Sequence, residues 1–296
     1  MKKHIMMWLC LSALFGLAGP AQAQWKGMEQ KALSGFGHPE SVAFNPSEGS
    51  LYVSRFGPEL KPTQKDGKGY ISRLDLDGNI IEGRCLPGEG DVLNKPKGVW
   101  IASDRLWTTD IDAVWVFDLK TKKGRKVNLP GAVFANDVVA HGDDLFVSDT
   151  ATGTIFLIRP ADFLSTTPDI SAVIHKKGLA PNGLWVEDNG SLLIAASPRS
   201  GPGGAIYQAA PSGDMKALTP PLGRLDGLAE LPDGTLLYTD WAHHGLFLKE
   251  KAAAPRLLSG GFQGPADFTL IPRSGGWLVI VPDLVNGDLR FIQLVR

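Results

Sequence analysis

The sequence predicts an all-β fold: a six-bladed β-propeller with four antiparallel strands per blade, its last blade closed by the N-terminal strand. Three observations predict it. A short motif recurs as Pro39-Glu40-Ser41-Val42-Ala43, Ala135-Asn136-Asp137-Val138-Val139, Pro181-Asn182-Gly183-Leu184-Trp185 and Leu225-Asp226-Gly227-Leu228-Ala229. Each copy reaches a second apolar run roughly a dozen residues later, which gives a period of about 40 to 50 residues, the range of propellers and repeat arrays. Strand-like runs fall in groups of four, joined by turn dipeptides such as Asp77-Gly78, Asn189-Gly190, Ser212-Gly213, Asp233-Gly234 and Asn286-Gly287. No window carries a sustained helical period, and a β-sandwich does not explain a repeat of this length.

In chain order, residues 1–23 read as a secretory leader. Lys2-Lys3 is its charged region, Ile5 to Leu17 its apolar region, and Ala21-Gln22-Ala23 its cleavage site, with cleavage expected after Ala23. The alternative is a membrane anchor, but the apolar run is short for a span. Leu9 stands before Cys10 where a lipid-anchoring signal wants a small residue. The expected location is therefore periplasmic or secreted, with no membrane association after cleavage.

Repeat one offers strands at 41–45, 51–56, 70–76 and 80–86, and repeat two at 98–102, 105–110, 113–119 and 124–129. Repeat three offers 137–141, 144–149, 154–158 and 171–175, repeat four 183–187, 191–196, 205–209 and 214–218, and repeat five 227–231, 235–240, 245–249 and 255–258. Repeat six has three runs, at 267–271, 276–281 and 288–295, and its missing strand is supplied by 25–33. That closure leaves no open sheet edge at the seam between the chain's two ends.

The 296 residues carry 30 basic and 31 acidic side chains. The basic residues are scattered, so nothing points to nucleic acid or an anionic membrane surface. Of two cysteines, Cys10 lies in the leader, and Cys85 is left without an internal partner. A small apolar role in a strand suits Cys85, and stability must come from a large core. The mature chain is expected to be a monomer acting on a small molecule.

In a propeller, equivalent positions on the innermost strands face one axis. That ring is Glu40, Lys97, Asn136, Asn182, Asp226 and Ala266. Four of the six carry side-chain oxygens. Hard oxygen donors with two carboxylates suit a divalent cation, Ca²⁺ before Mg²⁺ or Mn²⁺, and the absence of Cys and His from the ring argues against zinc. The blander readings are turn capping by Asn and Asp, and a polar, water-filled tunnel.

Glu40 in Pro-Glu-Ser-Val, Asn136 in Asn-Asp, Asn182 in Pro-Asn-Gly-Leu and Asp226 in Leu-Asp-Gly-Leu resemble, in order and spacing, the metal site of the SMP-30/gluconolactonase/LRE-like family. That family is similar to the calcium-dependent lactonases and diisopropylfluorophosphatase. The resemblance covers nearly all of the chain after the leader. It implies that Glu40, Asn182 and Asp226 hold the cation. Asn136 would be a fourth ligand or a substrate contact, and Asp226 would double as a base. Sugar-lactone members carry arginine two residues before the third-repeat Asn. Phe134 stands there instead, which favours a less polar substrate. Lys97 would repel a cation if it faced the axis, and the alternative is that it snorkels outward.

Residues ending the second strands border one mouth. There Arg55, Phe134, Arg199 and Trp241 are candidate substrate contacts with Asn136, and His243 and His244 join Asp226 as candidate bases. The blander reading of the histidines is an exposed turn pair. The loop Glu59–Gly69 is the candidate lid, or else a solvated connector. The Ser-Asp and Thr-Asp pairs at 148–149, 109–110 and 239–240 read as structural. Trp100, Trp107, Trp115, Trp185 and Trp277 read as filler between blades.

Two functions compete. One is a metal-dependent hydrolase of a lactone or related ester. The other is a non-catalytic NHL-like propeller that binds a ligand or protein partner at its mouth. A quinone-dependent oxidoreductase fits less well, because the mouth lacks a cluster of arginine and histidine.

Overall fold

The computed structural model describes residues 24–198, 200, 201, 203–211 and 213–296. The leader at 1–23 and Arg199 lie outside the described residues.

The first strand, β1 (Lys26–Leu33), belongs to the last blade. Blade one is β2 (Pro39–Asn45), β3 (Ser50–Arg55), β4 (Tyr70–Leu74) and β5 (Ile80–Leu86), and blade two is β6 (Pro96–Ala102), β7 (Arg105–Asp110), β8 (Ala113–Asp118) and β9 (Gly124–Asn128). Blade three is β10 (Ala135–His141), β11 (Asp144–Asp149), β12 (Thr154–Arg159) and β13 (Asp169–His175), and blade four is β14 (Pro181–Val186), β15 (Leu192–Ala196), β16 (Ala205–Ala209) and β17 (Met215–Ala217). Blade five is β18 (Leu225–Glu230), β19 (Leu236–Asp240), β20 (Gly245–Lys249) and β21 (Arg256–Gly260). Blade six is β22 (Thr269–Arg273), β23 (Gly276–Asp283) and β24 (Asp288–Val295), completed by β1. The fold is the six-bladed propeller that the repeat predicts.

Closure rests on β1 pairing antiparallel with β24, from Lys26 opposite Val295 to Leu33 opposite Leu289. Trp25, just before β1, is buried in the layer between blades five and six, and its indole nitrogen donates to Asp233 Oδ2 at 3.2 Å.

Each second strand is sandwiched between neighbouring blades and so carries an apolar run in its middle, as in Leu51-Tyr52-Val53 and Leu145-Phe146-Val147. Every residue of β3, β15 and β19 is buried. The fourth strands face solvent, and β13 alternates between exposed and half-buried positions. The core is thus a set of layers between blades: Tyr52 with Leu106 and Phe117, Val114 with Leu145 and Phe156, Leu193 with Leu228 and Tyr238. Cys85 lies in the first of these, where burial pushes its thiol up to about 11. The hairpins at Asn189-Gly190 and Asp233-Gly234 hold their glycines at φ 82° and 79°, a region costly for residues with a Cβ.

One irregularity repeats. In β2, β6, β10, β14 and β18 the register slips by one residue at the start of the strand, between Pro39 and Val42, Pro96 and Val99, Ala135 and Val138, Pro181 and Leu184, and Leu225 and Leu228. This is a β-bulge, which re-aims a side chain. The ring residue and its successor are the residues inside it.

The Ser/Thr-Asp pairs fix these bulges. Ser148 Oγ accepts from Asp137 N at 2.9 Å and donates to Asn182 O of the next blade at 2.8 Å. Thr239 Oγ1 likewise accepts from Gly227 N at 2.8 Å and donates to Ala266 O at 3.0 Å. Thr109 Oγ1 donates to Asn136 O at 2.5 Å. The following aspartates cap the connection that enters their own blade rather than a neighbouring one. Asp110 accepts from Asn94 N and Lys95 N at 2.9 and 2.8 Å, and Asp149 from Val133 N and Phe134 N at 2.6 and 2.8 Å. Neutral and acidic side chains therefore set where each ring residue sits.

Candidate functional site

Five ring residues are buried where the inner strands converge: Glu40, Lys97, Asn136 and Asp226 with at most 7% exposure, and Ala266 with none. Asn182 is half-buried. Two carboxylate oxygens of this ring, Glu40 Oε2 and Asp226 Oδ1, are buried without a hydrogen-bond partner. The amide nitrogens are tied to the wall: Asn136 Nδ2 donates to Thr150 Oγ1 at 3.0 Å and Asn182 Nδ2 to Leu225 O at 3.4 Å. Among the described residues no three His, Cys, Asp or Glu side chains converge at metal-binding distances. A cation in the ring would therefore need the amides as well as Glu40 and Asp226.

The row after the ring reads Ser41, Gly98, Asp137, Gly183, Gly227 and Asp267. Sequence reasoning passed over its two acids. The glycines let neighbouring inner strands approach closely: a Cβ on Gly98 would lie 2.5 Å from Asp137 Oδ1, and one on Gly227 2.9 Å from Asp267 Cα. The signal available in the sequence is that each aspartate is matched by a glycine at the same slot of the preceding blade. The tunnel thus holds four carboxyl groups on two levels, Glu40 and Asp226 above, Asp137 and Asp267 below.

Burial dominates their electrostatics. It raises Glu40 well above the ordinary carboxylate range, reinforced by the charge of Asp226 and opposed by Lys97. Burial, then the charge of Asp267, raises Asp226 to about 7, against the pull of the Trp241 hydrogen bond, Arg224 and Asn182. Asp137 is raised well above its usual value and Asp267 to about 6, both chiefly by burial.

Lys97 does not snorkel outward. It is 1% exposed, with Nζ 4.4 Å from the Phe134 ring centroid, 5.7 Å from that of Phe56 and 3.4 Å from Lys95 O. Burial lowers it to about 8, against the charge of Glu40, then of Asp110 and Asp149. The ring therefore carries its own cation beside its acids. Phe134 forms the roof over that lysine.

At the mouth, Trp241 Nε1 donates to Asp226 Oδ2 at 2.7 Å, and the Arg224 guanidinium lies 4.8 Å from the Trp241 ring. Trp241 thus reaches the ring from the mouth, as Phe134 does over Lys97. Arg55 is not available to a substrate. It is buried, its guanidinium donates to Phe36 O, to Gly35 O at 3.1 Å and to Ser72 Oγ at 3.2 Å, and it stacks on Tyr70. His243 and His244 are exposed and stay at the rim. Their Nδ1 atoms pair with Asp240 Oδ2 at 2.6 Å and Phe262 O at 3.0 Å. The loop from Glu59 to Gly69 is pinned rather than free. Buried Lys95 reaches Asp66 Oδ2 at 2.9 Å and Phe56 O at 2.8 Å, and Lys65 reaches Asp112 Oδ2 at 2.5 Å.

Neither a protein-family model nor a curated protein sequence matches the chain. Solved structures do. A selenomethionine-substituted virginiamycin B lyase from Staphylococcus aureus aligns over 92% of this chain and 100% of its own, with TM-score 0.61 and 14% identity. A catalytically inactive variant of that lyase with quinupristin aligns over the same shares, with TM-score 0.61 and 13% identity. A nidogen/laminin complex aligns over 73% of this chain and 77% of its own, with TM-score 0.57 and 16% identity. At such identities the likeness shows the six-bladed propeller fold, a fold that carries both an enzyme and a protein-binding domain.

Proposed function

We propose that this chain is an exported, metal-dependent hydrolase of a lactone or related ester, of the SMP-30/gluconolactonase/LRE-like kind. Glu40, Asp226, Asn136 and Asn182 would hold the cation, Ca²⁺ before Mg²⁺ or Mn²⁺. One observation carries the reading: Glu40 Oε2 and Asp226 Oδ1 are both buried and unpartnered in a ring that also holds the Asn136 and Asn182 amides. A buried carboxylate oxygen without a donor is costly, and a bound cation relieves that cost. The donor chemistry fits a hard divalent ion, which when bound would supply Lewis acidity toward a carbonyl oxygen.

The chain's own residues supply the rest. Asp226, raised to about 7, is placed to accept a proton from water near neutral pH. Trp241 orients that carboxylate by holding Oδ2 and leaving Oδ1 to the axis. Phe134 and Trp241 give the mouth an apolar, aromatic lining, suited to an ester or lactone less polar than a sugar acid. Lys97 beside Glu40 favours the second reading, ligand binding without chemistry, because it already supplies the ring with a cation.

The deciding experiment is the melting temperature in excess Ca²⁺ and in chelator. At a hundredfold excess over Kd a ligand specific for the folded state adds about 2.7 kcal/mol. The increment is expected in the native protein and lost in Asp226→Asn, which should keep its fold. No increment in either sinks the metal reading and leaves the binding module.

A further inference from the structure

Below the ring the tunnel widens into a cavity of about 390 Å³, on the side away from the mouth. Its walls include Phe44, Trp100, Trp185 and Phe268, and Asp137 and Asp267 line it where the inner strands begin. Trp100 and Trp185 also pack into the layers between blades, so their place in this wall is a second role.

The two acids are held by uncharged donors alone. Asp137 accepts from Val138 N at 2.7 Å and Leu184 N at 2.6 Å, and Asp267 accepts from Ser41 Oγ at 2.6 Å. No ion pair among the described residues includes either of them. Two carboxyl groups in one cavity wall, neither with an ion-pair partner among the described residues, suit a cation from outside the chain. A metal ion would need six or more oxygens, whereas the walls here offer rings and methyl groups. Aromatic faces attract an organic ammonium, and the cavity's size is that of a small-molecule site.

We propose that this lower cavity is a second binding site, separate from the ring, for a small organic cation. Its ammonium group would sit at Asp137 and Asp267, and its apolar, preferably aromatic, body against Phe44, Trp100, Trp185 and Phe268. The charge complement selects the ammonium and the aromatic walls select the body. The site does not depend on the ring holding a metal.

Calorimetric titration with 2-phenylethylammonium chloride tests it, with 2-phenylethanol as the neutral isostere, in chelator. Saturable binding of the amine and none of the alcohol is expected. Asp267→Asn should weaken the amine about tenfold, the loss of one charge-assisted contact. Phe268→Leu provides a second variant, which keeps the acids and should weaken the amine severalfold. Both variants are first checked for native circular dichroism. No saturable binding, equal binding of the alcohol, or unchanged affinity in both folded variants overturns the proposal. So does a loss of binding in Asp226→Asn without one in Asp267→Asn, which would place the amine in the ring.

Discussion

Trp241 Nε1 donates to Asp226 Oδ2 at 2.7 Å, while Oδ1 of the same carboxylate is buried with no partner. One carboxylate is thus held from one side and left open on the other. The hydrogen bond stabilises the ionised form and pulls against the burial that raises this group to about 7. Trp241→Phe removes the donor and keeps most of the ring's bulk. The carboxyl should then titrate about one to two units higher, since a hydrogen bond to a charged group contributes about 1.5–3 kcal/mol and one unit is about 1.4. A ¹³C titration of the Asp226 carboxyl checks this, and an unchanged or lower midpoint contradicts it.

Stability should fall as pH rises from about 5 to about 7 in chelator. The reason is that Asp226, Asp267, Glu40 and Asp137 all bind protons more tightly folded than unfolded. In that range the folded state therefore holds more protons, which gives the negative slope. Lys97, lowered to about 8, works the other way at higher pH, where the unfolded chain holds the proton that the folded chain has lost. Melting temperatures across this range decide it, and a steady rise from about pH 5 to 7 would contradict the assignment.

Gly183 packs directly against the backbone of blade five, where a Cβ would strike Asp226 O and lie 3.0 Å from Leu228 N. Backbone cannot rotate away as a side chain can. Gly183→Ala should cost about 1–3 kcal/mol in urea unfolding. It should also force β14 from β18 and so weaken any Ca²⁺ response in proportion. A variant as stable as the parent would show that the inner strands have slack.

Lys95 is fully buried and joins the 57–69 segment to blade two through Asp66. Lys95→Met leaves Asp66 without its cation, a change that costs about 3 kcal/mol for a buried pair. Limited proteolysis should then cut between Glu59 and Gly69 first, and Lys95→Met with Asp66→Asn should recover part of the stability. Cleavage elsewhere first would show that other contacts hold this loop.

The architecture was legible because a propeller writes its period into the chain. Second strands buried on both faces become apolar runs, and the hairpins between them need Asn-Gly or Asp-Gly. The ring slots at Glu40, Asn136, Asn182 and Asp226 were legible for the same reason, since each opens an inner strand. Asp137 and Asp267 were not, because a row reading Ser, Gly, Asp, Gly, Gly, Asp looks like turn chemistry until the bulge aims it inward.

Blade count, strand order, closure by residues 26–33 and the residues that open each inner strand were already written in the sequence. Those features follow from local periodicity and turn chemistry, which neighbouring residues encode. Tertiary structure alone decided where side chains point. It folds Arg55 back on Gly35 and Phe36, keeps His243 and His244 at the rim, and turns Lys97 inward between Phe134 and Phe56. Those directions depend on what the neighbouring blades press against each side chain, and residues distant in the chain supply that pressure.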